Sequence, residues 1–132
     1  MTQSRRRVAF FLFVSLGFVP AAWAHHSFSN FDMSKTMTIA GTVRALEWTN
    51  PHVWLWIDVP DGKGGSTPWG LEGAAVGEMG RQGWSRSKVV KGQKISAQMH
   101  PLRDGQPGGS LGKTTFADGS SLGGTLALKK TP

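Results

Sequence analysis

Histidine is the residue with the most chemistry to offer in this chain. Four occur among 132 residues, at positions 25, 26, 52 and 100, and cysteine is absent. Without cysteine there are no disulfides, thiol nucleophiles, thiolate-held zinc sites or iron–sulfur clusters. His25 and His26 follow Ala22-Trp23-Ala24, which has small residues at the two positions a signal peptidase reads. Cleavage after Ala24 would make His25 the first residue, so that its α-amine and ring Nδ1 could chelate one ion. The free amine has a pKa of about 8 and gives up its proton to a metal near neutral pH. Nitrogen donors of this kind suit copper(II). A further imidazole from His26, His52 or His100 would complete a T-shaped site, and Met33 offers a thioether for copper(I). Against this stands the plain fact that paired histidines after a cleavage site occur without any metal, and exposed histidines bind copper loosely.

A second constellation is aromatic. Trp54 and Trp56 alternate with Val53, Leu55, Ile57 and Val59, and His52 shares their parity. If the aliphatic residues fill a core, the indoles face outward, where with Trp48 they could stack on a glycan or an envelope protein. The alternative is that an N-terminal arm carrying Phe28 and Phe31 folds over them as a satellite core. The two readings are compatible, because an arm docked there would bring His25 and His26 towards His52.

Other chemistry is thin. Glu47, Asp58, Glu72 and Asp104 show no paired spacing for acid–base work and read as solvated or hydrogen-bonded strand residues. The serines lack a nucleophile-elbow context. Gly105–Gly112 opens no helix and reads as a turn, not a phosphate cradle. A non-enzymatic protein is expected. Arg81, Arg86, Lys88, Lys91 and Lys94 read as a solvated basic edge that could attract an acidic partner.

The elements that must position these residues follow from periodicity and turn signals. Arg5–Arg7, the apolar stretch Val8–Val19 and Pro20 complete a secretory signal over residues 1–24. The stretch is too short to cross roughly 30 Å of hydrocarbon as a helix, so no stable membrane span remains after cleavage and a periplasmic or secreted protein is expected. Loss of three arginines and no acid takes the net charge from +7 to +4. That modest charge, dispersed except over Arg81–Lys94, argues against a nucleic-acid partner.

Residues 25–35 form a polar, aromatic arm, and a domain over 36–128 follows. Strands are expected at Thr36–Thr49 (with a parity switch and bulge near Ala45), Val53–Val59 and Thr67–Glu72, then a fourth after the Val89–Gln93 turn with Ile95, Ala97 and Met99 on one face and ending at His100-Pro101, a fifth at Leu111–Phe116, and a short sixth within Leu122–Leu128. Ala74–Gln82 is the one helix, weakened by Gly77 and Gly80. The order β-β-β-α-β-β predicts an all-β fold with one short helix: a small closed OB-like β-barrel of five to six strands, with a two-sheet sandwich as the alternative.

The segments HHSFSNFDMSKTMTIAGTV, EWTNPHVWLWIDV, WGLEG, RQGWSRS and HPLRDGQPGGSLGKTTFADG resemble an uncharacterised family of small exported bacterial proteins, the domain of unknown function 6152, over roughly residues 25–122. Asn50-Pro51-His52 and His100–Gly105 carry most of that resemblance. It implies export and a compact β-rich domain. It implies no activity and no catalytic residues.

Overall fold

The computed structural model describes residues 30–124. Six strands and one helix follow in the order β1 (Met37–Glu47), β2 (Trp54–Pro60), β3 (Ser66–Glu72), α1 (Val76–Arg81), β4 (Lys94–Pro101), β5 (Gly108–Phe116) and β6 (Ser121–Leu122). β1 pairs antiparallel with both β2 and β4, β2 pairs with β3, and β4 with β5. A parallel pairing of β3 with β5, Gly70 to Gly108 through Glu72 to Ser110, closes the ring. β6 adds a short flank to β5. This is the closed five-stranded, OB-like arrangement with an extra strand, and closure excludes the two-sheet sandwich.

The parity switch in β1 is real and sits at Arg44. Val43 pairs with Ile57 but Ala45 with Trp56, so one residue of β1 is left over. Before it, Ile39 and Val43 are buried; after it, Leu46 turns to the core instead. The bulge thus lets one long strand serve two neighbours while keeping its apolar side inward. The interior is filled by Leu55, Ile57, Leu71, Met99 and Leu111, all essentially inaccessible. Each stabilises the fold by about 1.5–3 kcal/mol through burial alone.

Helix α1 is too short and glycine-rich to stand by itself. Its N-cap residue Ala75 has no side-chain cap. Asn50, from the β1–β2 loop, accepts a hydrogen bond from the Val76 N–H at 3.1 Å in its place. Met79 and, just beyond the helix, Trp84 and Val89 are buried in the core cluster. Trp84 donates its indole N–H to the Gly123 carbonyl at 2.6 Å, tying this segment to the chain after β6.

The glycine-rich segment departs from expectation. Gly105 does turn the chain, at φ +76°, but Gly108, Gly109 and Gly112 lie within β5. A Cβ on Gly108 would come within 3.0 Å of the Gly70 carbonyl, one on Gly109 within 2.9 Å of Met99 Sδ, and one on Gly112 within 2.7 Å of the Gln98 carbonyl. These glycines mark where backbones approach too closely for a side chain, not where the chain loops.

Candidate functional site

The outward face at one end of the barrel collects the candidate residues. Register places Trp54 opposite Glu72, Glu72 beside Ser110, and Ser110 opposite His100. The row therefore crosses β2, β3, β5 and β4 in turn. His52, two residues before β2 on the side shared with Trp54, reaches diagonally to the row, and its Nδ1 pairs with Glu72 Oε1. The Glu72 side chain is only 12% exposed and that of His52 37%. A carboxylate can only accept, so Nδ1 carries the hydrogen. In the neutral ring Nε2 then keeps its lone pair as an available donor.

His100 is fixed by the same logic. Its Nδ1 donates to the backbone carbonyl of Lys35, which again leaves Nε2 as the lone-pair nitrogen. The turn holding that carbonyl is braced by Asp32, whose carboxylate pairs with Lys35 Nζ at 2.8 Å and accepts from the Ser34 hydroxyl at 2.6 Å. These partners, Lys35 first and Ser34 second, hold the Asp32 carboxyl well below the usual carboxylate range. The two described histidines do not meet. Three strand spacings separate the ends of the row, about 15 Å along the sheet. Among the described residues no group of three histidines and acids could hold a metal ion. His25, His26 and Phe28 lie outside the described residues.

Trp54 and Trp56 stack with ring centroids 6.1 Å apart and planes inclined by 21°. The Trp56 indole N–H donates to Glu47 Oε1 at 2.9 Å. Its benzo ring crowds Gly70 on β3, where a Cβ would approach Cζ3 to 2.8 Å. Both indoles are half-buried. Trp48 departs from this pair: it packs partly against the core cluster, and its carbonyl accepts from Arg86 Nη2 at 3.1 Å. The post-bulge parity that turns Leu46 inward explains Trp48 as well.

Phe31 is 4% exposed. It is held by an antiparallel bridge to Leu102, flanked by bonds from Asp32 N–H to the Pro101 carbonyl at 2.8 Å and from Arg103 N–H to the Asn30 carbonyl at 2.9 Å. The end of the arm is therefore sewn to the exit of β4. Of the basic edge, Arg81 is taken up by Glu78 and Arg86 by Trp48. Glu72 was legible only as an outward strand residue. Parity could put it outside, but only the β2–β3 register puts it under His52.

Residues 13–111 match the model of a family of unknown function, DUF6152. The match starts inside the apolar Val8–Val19 stretch and ends within β5, earlier at both ends than the resemblance drawn from sequence segments. No curated protein and no solved structure matches the chain.

Proposed function

The chain belongs to the DUF6152 family, and from that premise we propose that it is an exported, non-enzymatic binding protein that holds copper(II) at a processed N-terminus. His25 would supply its α-amine and Nδ1, His52 its Nε2, and His26 a further nitrogen, while His100 lies too far from His52 to share the ion. The observation that carries this reading is the His52–Glu72 pair, since an imidazole oriented through Nδ1 by a carboxylate is the usual support for a metal-ligating Nε2. Chain length supports it too. From the anchored Phe31, residues 25–29 can extend about 17 Å, and Glu72 lies three strand spacings away, about 15 Å.

The test is a competitive copper(II) titration of protein whose first residue is His25. Submicromolar affinity is expected. One added N-terminal residue should abolish it, and Glu72→Gln should weaken it by about 10- to 100-fold without unfolding, the range for loss of a ligand's orienting partner. Submicromolar affinity that survives the extension, or that ignores Glu72→Gln, overturns the reading.

A second reading rests on the stacked Trp54–Trp56 pair: an envelope module that engages a glycan or protein partner without metal. It predicts that a Trp54→Ala, Trp56→Ala double variant folds but loses its partner. Loss of folding instead assigns the indoles to packing.

A further inference from the structure

The opposite end of β4 carries a feature that uses none of the histidines or outward tryptophans. A groove of about 460 Å³ lies between the loop before β4 and the β5–β6 turn, lined by Lys88, Gln93, Lys94, Phe116, Ala117 and Asp118 among others. Its volume falls within the range of small-molecule sites. A shallower depression continues it along β4 and β5, sharing Lys94, Phe116 and Ala117.

Both walls are braced from behind. On one side Gln93 accepts from the Val90 N–H at 2.9 Å and donates to the Lys88 carbonyl at 3.2 Å, while Ser85 Oγ accepts from the Lys88 N–H at 3.2 Å. On the other, Asp118 Oδ1 accepts both the Ser120 N–H at 2.8 Å and its hydroxyl at 2.6 Å. The Phe116 N–H is bonded to the Ser120 carbonyl at 2.9 Å. Neither turn has to be ordered by a ligand. Lys88 and Lys94 have no salt-bridge partner among the described residues. The lining acid, Asp118, accepts two hydrogen bonds within its own turn, and the Lys88 charge also acts on it. Two lysine side chains thus line the groove together with the aromatic ring of Phe116 and the methyl group of Ala117.

We propose that this groove binds a small phosphate monoester, with the dianionic head between Lys88 and Lys94 and an apolar body on Phe116 and Ala117. Two compact point charges suit a doubly charged head without demanding a fixed planar geometry. Phe116 offers the body a hydrophobic surface.

The full chain is titrated with phenyl phosphate, followed by amide chemical shifts, in parallel with inorganic phosphate and with phenol. Saturable submillimolar binding of phenyl phosphate is expected, with shifts centred on residues 88–94 and 116–120. Inorganic phosphate and phenol should each bind at least tenfold more weakly. A Lys88→Ala, Lys94→Ala double variant should lose at least tenfold, while Lys63→Ala in the β2–β3 loop should lose nothing. Equal affinity for inorganic phosphate, an equal loss in Lys63→Ala, or no saturation by 10 mM overturns the proposal. Because no histidine is involved, failure here leaves the copper reading untouched.

Discussion

Thr114 shows how residue chemistry and core packing can pull apart. It is wholly buried opposite Ala97 and Leu122, yet its hydroxyl has no hydrogen-bond partner. An unpaired buried hydroxyl opposes folding, and valine has nearly the same shape. Thr114→Val is therefore expected to raise stability by about 1 kcal/mol in urea denaturation. A loss of stability would show that the hydroxyl is satisfied after all. The same scale governs His52 and His100. Both imidazoles are oriented through Nδ1, one by a side chain and one by a backbone carbonyl. Only the carboxylate can be removed by a point change, which is why Glu72→Gln is the sharper probe. The histidines themselves were legible as residue types at strand ends. Their partners were not, because Glu72 and Lys35 meet them through register and tertiary bridging, which no spacing along the chain encodes.

At the scale of elements, periodicity carried most of the information. Alternation in Val53–Val59 gave β2 with its faces correct, and the parity change near Ala45 gave the bulge, because burial on one face forces a period of two. α1 was legible from position more than strength: its capping acceptor, Asn50 Oδ1, comes from far away in sequence. Glycine misled. Gly108, Gly109 and Gly112 read as a turn because local preference assigns glycine to turns, whereas here it admits a neighbouring strand. Gly109→Ala tests that account. The added methyl would crowd Met99 Sδ and the His100 carbonyl, so a loss of about 1–3 kcal/mol is expected from overpacking, measured by chemical denaturation. The same change at Gly62, in an open hairpin loop with nothing within 4 Å, has only its φ of +74° to oppose it. Equal losses at the two positions would remove the close-approach explanation.

Over the whole molecule, acid sensitivity follows from three surface carboxylates. Asp32 is held low chiefly by Lys35, Glu78 by Arg81, and Asp118 by Ser120. Groups whose folded pKa is depressed add stability above the ordinary carboxyl range, and that stability is lost as pH falls through their folded values. The melting temperature should thus be level from pH 7 to about 5 and decline below about pH 4. The decline should be shallower in Asp32→Asn and Asp118→Asn. An unchanged slope would place the acid-sensitive groups elsewhere. Closure of the barrel has a further consequence. The parallel contact of Gly70 with Gly108 joins stretches synthesised far apart, and β1 waits for β4 on its second side. A chain emerging N-terminus first, from a ribosome or through an export channel, can fold its early hairpins, but their flanks stay bare until the last third has emerged. Non-local pairings of this kind make folding slow, so a polypeptide stalled before residue 108 presents two sticky strand edges to whatever chaperone is nearest.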